Sequence, residues 1–304
     1  MRLLLPIALC LAACAAPIKQ TPARLAQSSQ PVSAPSAPCH EDAKWAEPAP
    51  PLHIYGNTWF VGTCGISAIL VTSAQGHVLI DTGVKEAAPL VETNIRKLGF
   101  RVEDVHYIVN SHEHYDHAGG IAQLQHDTGA VVVAREPAAR AFERGRGDRT
   151  DPQFLIIEGF APIAKVRRIG DGERLEIGSI KLIAHATPGH TPGSTTWTWE
   201  SCEQQQCVHM VYADSLSAIS DDVYRYSDET PHPGVTAAFK HSIATIATLP
   251  CDILLTPHPD ASNMWSRLGP QASEPLIDPT LCRRYAAGAE KKLDTRLEKE
   301  RTGH

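Results

Sequence analysis

Residues 111–120 read Ser111-His112-Glu113-His114-Tyr115-Asp116-His117-Ala118-Gly119-Gly120. They place His112, His114, Asp116 and His117 within six positions, directly after the apolar run 105–109, which reads as a buried strand. Imidazole and carboxylate together suit a borderline metal such as zinc. His112 and His114 are two apart, so an extended loop points both the same way and lets them grip one ion. Asp116 and His117 fall at the start of the helix expected at 117–128, where they can face a second ion. Two competing readings are weaker. Four ligand-type residues at this spacing are improbable as exposed loop residues with no common target. The pair His112-Glu113 opens an HExxH zinc-peptidase pattern, but the second histidine is not in register.

Outward from this loop, strand and helix patterns alternate, which points to an α/β class. Upstream, runs rich in β-branched and aromatic residues at 53–61, 66–72 and 77–80 are separated by glycine turns and read as a strand meander. Between 85 and 98, Ala88, Val91, Ile95 and Leu98 recur at helical spacing, with Gly99 as the stop. Downstream, strands are expected at 130–134, 166–169, 180–184, 195–199, 208–212 and 252–255. Helices are expected at 235–249 and 279–299. The last carries Leu281, Tyr285, Ala289, Leu293 and Leu297 at intervals of four, so it reads as packed on the sheet rather than as a partner-binding face. The stretch 145–164 is long, punctuated by Gly and Pro and partly apolar. That is unusual for an inert connection, and suggests a roof over a site.

At the N-terminus, Arg2 followed by the apolar run Leu3 to Ala13 reads as a secretory signal over residues 1–14, too short for a permanent span. Leu11-Ala12-Ala13-Cys14 is similar to the lipobox of bacterial lipoproteins. Two readings stand: lipidation of Cys14 with an outer-membrane anchor, or ordinary cleavage after a small residue. Either exports the chain, and the expected location is the periplasm. Residues 15–40, rich in Pro, Ala, Ser and Gln, read as a flexible tether, and 41–304 as a single domain. A net charge of −6, with dispersed basic residues, gives no footprint for nucleic acid and disfavours polyanionic substrates. Nothing argues for an obligate oligomer, so a monomer is expected.

Of eight cysteines, Cys10 and Cys14 fall in the signal. The remaining six in an exported chain suggest disulfides, with fifteen pairings open. Local spacing favours Cys202 with Cys207 across the polar turn, and leaves Cys39 with Cys64 and Cys251 with Cys282 as the economical remainder. A thiolate zinc site is the alternative, and no C-x-x-C supports it.

The HxHxDH pattern after a strand resembles the signature of the metallo-β-lactamase superfamily, and other stretches follow that family in order. Val78-Leu79-Ile80-Asp81-Thr82-Gly83 is similar to its first motif, Thr187-Pro188-Gly189-His190-Thr191-Pro192-Gly193-Ser194 to its third, and Thr256-Pro257-His258-Pro259 to its last. Tyr55-Gly56-Asn57-Thr58-Trp59, Val61-Gly62-Thr63-Cys64-Gly65, Tyr212-Ala213-Asp214-Ser215-Leu216-Ser217 and the six cysteines resemble subclass B3 within it. The resemblance spans about residues 50–290. It implies a four-layered αββα sandwich, with two mixed sheets face to face and helices outside. It also implies two zinc ions, one on His112, His114 and His190 and the other on Asp116, His117 and His258, with Asp81 supporting the metal loop from behind. Ser215 matches the place where other lactamases put a cysteine ligand, and Ser217 and Gln153 match substrate-contacting positions. Gln153 also reads as a plain surface glutamine. Asp214 is expected to be no ligand, although hydrolases of the glyoxalase type use an aspartate near this place to bridge their metals.

The activity so implied is hydrolysis of the β-lactam amide of penicillins, cephalosporins and carbapenems by zinc-activated water that Asp116 orients, conferring antibiotic resistance. Fold alone does not separate this from a lactonase or thioesterase. A non-catalytic periplasmic zinc-binding protein is the rival from another class; three ligands per metal, which leave room for water, argue against it. His77, His106, His126, His185, His209 and His241 lack ligand-type neighbours and read as structural or solvated.

Overall fold

The computed structural model describes residues 39–40 and 42–303. The expected signal, Cys14 and nearly all of the tether lie outside them. Among the described residues no helix is long and apolar enough to cross a membrane.

The chain enters through the antiparallel strands β1 (Leu52–Tyr55), β2 (Thr58–Phe60), β3 (Ile69–Val71) and β4 (His77–Ile80). It then turns parallel through β5 (Val105–Val109), β6 (Val131–Ala134) and β7 (Arg167–Arg168), giving a seven-stranded mixed sheet in sequential order. Parallel neighbours need crossovers. Helices α1 (Ala88–Lys97), α2 (Tyr115–Ala118), α3 (Ile121–Thr128) and α4 (Glu136–Arg144) lie in these connections. The second sheet has the order β12-β11-β10-β9-β8, built from β8 (Arg174–Ile177), β9 (Ile180–Ala186), β10 (Thr195–Glu203), β11 (Gln206–Tyr212) and β12 (Ile253–Leu255). Only β11 and β12 in it are parallel, joined through α5 (Val235–Thr248), and α6 (Leu281–Thr302) closes the chain.

Strand alternation sorts the apolar residues into three layers. In β4, Val78 and Ile80 face the second sheet, meeting Trp197, Met210, Tyr212 and Leu255 in the central layer. Leu79 points the other way, onto Val91 and Ile95 of α1 and Leu124 of α3. On the far side Val211 and Leu254 meet Phe239, Ile246 and Leu293 of α5 and α6. The result is the αββα sandwich expected from the sequence.

Several boundaries differ from the sequence reading, each for a local reason. The run 53–61 is a hairpin rather than one strand, because Gly56-Asn57 turns the chain between β1 and β2. The helix expected at 117–128 is broken into α2 and α3. There the backbone passes close to the 82–85 segment: a Cβ on Gly119 would lie 2.8 Å from the Lys85 nitrogen, and one on Gly120 2.9 Å from the Thr82 oxygen. Helix α4 was not anticipated, since its buried face is Ala138, Ala139, Ala141 and Phe142, with one large apolar residue. Strand β8 also escaped notice, because only Leu175 of its four residues is buried.

The disulfides are Cys202–Cys207, which the spacing favoured, and Cys39–Cys64 and Cys251–Cys282, the remaining pairs. Cys202 and Cys207 face each other across the β10–β11 hairpin, and Cys282 fastens the first turn of α6 to Cys251, two residues before β12.

Asn94, buried in α1, donates its amide to the carbonyls of Ala49, Val61 and Gly62 at 3.2, 3.1 and 3.2 Å, tying the helix to the entering chain. Asn94→Ala leaves three carbonyls without that donor, so urea unfolding should show a loss of about 2 kcal/mol. A loss below about 0.5 kcal/mol would mean that the anchor carries no stability.

Candidate metal centre

The metal loop is held from behind by a buried carboxylate. Asp81 follows β4 in a left-handed conformation (φ 59°). Its Oδ1 accepts the Ser111 N–H at 2.6 Å, and its Oδ2 accepts the Ser111 hydroxyl at 2.6 Å and the Tyr212 hydroxyl at 2.7 Å. Residues from the ends of β4, β5 and β11 therefore meet on one side chain, the supporting position expected for Asp81. The Thr195 N–H donates to Ser111 O at 2.7 Å and the Trp197 indole N–H to Asn110 O at 2.8 Å, fastening the same loop to β10. Glu113 joins it to the His190 turn, accepting the Gly193 N–H at 3.0 Å and the Thr191 hydroxyl at 2.8 Å. A side chain at position 193 would collide with that carboxylate and with Ala138, so glycine is required there.

Two donor sets result. In the first, each imidazole has one nitrogen tied to a neighbour and the other turned inward. His112 Nδ1 lies 2.7 Å from Asp214 Oδ1, which leaves a buried Nε2 with no partner. His114 Nε2 lies 3.2 Å from both Asp151 oxygens, and His190 Nδ1 lies 2.9 Å from Ser217 O. The three ring centroids are 4.6–4.9 Å apart, and one ligand atom from each lies within 4.8 Å of the others. In the second set, Asp116 Oδ2 lies 3.1 Å from His117 Nε2 and 3.1 Å from His258 Nε2, and the two nitrogens are 3.3 Å apart. A tetrahedral zinc with bonds of about 2.0–2.1 Å keeps its donors about 3.3–3.4 Å apart, so this triangle fits one ion. His112, Asp116 and His117 are also mutually within 4.8 Å, so the two sets share a wall. His258 is the open side, with its side chain 30% exposed.

The charges agree with a site built for cations. Burial and the neighbouring imidazoles hold His112 well below the ordinary histidine range. Burial and His114 bring His190 down to about 3. Both are thus neutral, with a lone pair to give. Burial would lower His117 too, but Asp116 and Asp81 outweigh it and push the ring up to about 10. Burial of Asp116 is likewise outweighed by His117 and His258, which hold it well below the usual carboxylate range. Buried Asp214 is pushed up to about 7. Orphaned Asp116 Oδ1 and His112 Nε2, six N and O donors, and three donors per set all suit a divalent metal.

The other sequence-derived residues gather here as well. Gln153 is buried, with its amide nitrogen 3.4 Å from His190 Nε2, so it is not a plain surface glutamine. Ser217 presents both its carbonyl and, at 3.0 Å, its hydroxyl to His190 Nδ1. Ser215 is buried beside Asp214, with no side-chain hydrogen bond among the described residues. Asp214 stands behind His112 rather than between the two sets. Asp151 was missed by sequence reasoning. Its only signal was its place in the long 145–164 stretch, whose path brings it to His114.

The sequence profile of the metallo-β-lactamase superfamily matches residues 61–202. Among solved structures, the chain is similar to MEM-A1, a subclass B3 metallo-β-lactamase from a soil metagenome library. The two are 42% identical, with a TM-score of 0.82, over 86% of this chain and all of that one. It is also similar to the metallo-β-lactamase MIM-1 from Novosphingobium pentaromativorans, at 48% identity and a TM-score of 0.81, over 85% and 93% of the two chains. The hydroxyacylglutathione hydrolase of Maricaulis maris is 29% identical over 143 residues, 47% of this chain, so the match spans less than half of that protein, 43% of its length.

Removing a carboxylate behind a ligating histidine typically costs 10- to 100-fold in metal affinity. Asp151→Ala should therefore weaken divalent-metal binding by about that factor in competition with a chromogenic chelator. Unchanged affinity would show that Asp151 does not orient His114 for a metal.

Proposed function

The chain belongs to the metallo-β-lactamase superfamily, and from that premise we propose that it is a zinc-dependent hydrolase that opens the β-lactam ring of penicillins, cephalosporins and carbapenems. The observation that carries this reading is the pair of adjoining donor sets, His112–His114–His190 and Asp116–His117–His258, in a fold shared almost end to end with subclass B3 lactamases. Zinc held there supplies Lewis acidity toward the amide and a water nucleophile ionised near neutrality.

The chain's own residues do the rest. Asp116 gives one oxygen to the second set and keeps Oδ1 free of protein partners, so that oxygen can accept a hydrogen bond from the attacking water and fix its orientation. With His190 Nε2 turned inward, its Nδ1–H donates to Ser217 O, leaving the Ser217 hydroxyl proton available for the substrate carboxylate. Gln153 can donate its amide to a substrate oxygen beside His190. No covalent enzyme intermediate is needed, so serine-directed inhibitors should not acylate the protein. Three disulfides support an oxidising compartment, and with the N-terminal signal we read the location as periplasmic.

Zinc-loaded protein should hydrolyse a carbapenem, a cephalosporin and a penicillin, and lose that turnover on chelation. Hydrolysis of homoserine lactones or glutathione thioesters with no β-lactam turnover would replace this reading with its lactonase or thioesterase rival. His258→Ala should abolish most of the activity while leaving the unfolding curve nearly unchanged. Ser217→Ala removes one hydrogen bond to a charged group, so KM should rise about tenfold with kcat little altered. An effect confined to kcat would take Ser217 away from ground-state binding.

A further inference from the structure

The three imidazoles of the first donor set are all backed by residues from two connections outside the sheets. The 145–164 loop supplies Asp151 to His114 and Gln153 to His190. The 213–234 loop supplies Asp214 to His112 and Ser217 to His190. Ring orientation therefore depends on how these loops are fixed to each other. The second is anchored to the core from one side: Glu300 of α6 accepts the N–H groups of Tyr226 at 3.2 Å and Ser227 at 2.8 Å, and Arg296 reaches the Ser220 hydroxyl.

We propose that Asp221 is a positioning residue that locks the 145–164 loop onto this anchored loop and so sets the substrate-binding edge of the metal centre. Its side chain is buried, although aspartate is rarely so. Its main-chain N–H donates to Pro152 O at 2.8 Å, between Asp151 and Gln153. Its Oδ2 accepts the Leu155 N–H at 3.2 Å and lies 3.7 Å from the Arg149 guanidinium. Its Oδ1 turns to its own loop, accepting the N–H groups of Val223 at 2.9 Å and Tyr224 at 2.8 Å. One oxygen thus serves the local turn and the other spans the gap. Support runs from α6 through the 220–227 backbone and Asp221 to Asp151 and Gln153.

The two oxygens allow a clean test. Asp221→Asn keeps a carbonyl oxygen for Val223 and Tyr224, but sets an NH2 donor against the Leu155 N–H and Arg149. The side-chain half of the joint is lost and the turn is retained, whereas Asp221→Ala removes both side-chain contributions; the main-chain bond to Pro152 O stays in either variant. In the zinc-loaded full-length protein, hydrogen exchange of the 153–157 amides should quicken about tenfold in the Asn variant, with the 222–226 amides unchanged. This inference rests on the lactamase reading for its kinetic arm only. There KM for β-lactams with large side chains should rise about three- to tenfold, with kcat within about twofold. If the Asn variant exchanges like wild type, the carboxylate serves only its local turn and the proposal is overturned. If exchange quickens while KM stays fixed, Asp221 joins the loops without positioning the substrate, and the positioning role is overturned. If the wild type turns over no β-lactam, the functional reading fails, and the exchange result still decides whether Asp221 is the joint.

Discussion

The position of the metal loop depends first on one buried carboxylate. Asp81 takes hydrogen bonds from Ser111, which precedes the first two metal-site histidines, and from Tyr212, at the end of a strand in the other sheet. A side chain fixed by both sheets makes the loop's position a property of how the sandwich packs. The left-handed backbone at Asp81 is unfavourable for a residue other than glycine, and persists only where the surroundings over-determine it. Here three hydrogen bonds and full burial do so.

From that point outward, the site is a problem of charge. Asp81, Glu113, Asp116, Asp151 and Asp214 are all buried within or just behind the donor sets. Burial pushes Asp214 up to about 7 and raises Glu113 as well. Two divalent ions at the six donors would offset that accumulated negative charge. The backing groups also differ: carboxylates stand behind His112 and His114, and a main-chain carbonyl behind His190. Carboxylate backing raises the basicity of a ligating imidazole. The first donor set is therefore electronically uneven by construction.

Part of the donor set was legible in the sequence because its chemistry is local. Two histidines two residues apart after a strand, with Asp116 and His117 close behind, say what they can do without a partner being known, whereas His190 and His258 were placed by the family motifs they resemble. Cys202 and Cys207, which a hairpin must bring together, are local in the same way. Partner-dependent features were not legible. Asp151 and Asp221 are ordinary loop aspartates until the path of the chain sets each against another segment, and Asp214 acquired its role only when β11 placed it behind His112. Helix α4 failed for a related reason: an alanine face becomes a core face only once the sheet beneath it exists.

This division bears on what the resemblances mean. The superfamily profile covers residues 61–202, and so holds His112, His114, Asp116, His117 and His190. His258, Asp214, Ser215 and Ser217 lie beyond it. The shared half is a metal-binding frame that a thioesterase can use as well as a lactamase, as the partial match to a hydroxyacylglutathione hydrolase illustrates. The other half adds the strand-end His258 that completes the second donor set, and the 213–234 loop that backs His112 and His190. The solved metallo-β-lactamase structures that the chain is similar to cover about 85% of the whole chain. The lactam reading therefore needs the two donor sets together with the fold and the segments that surround them.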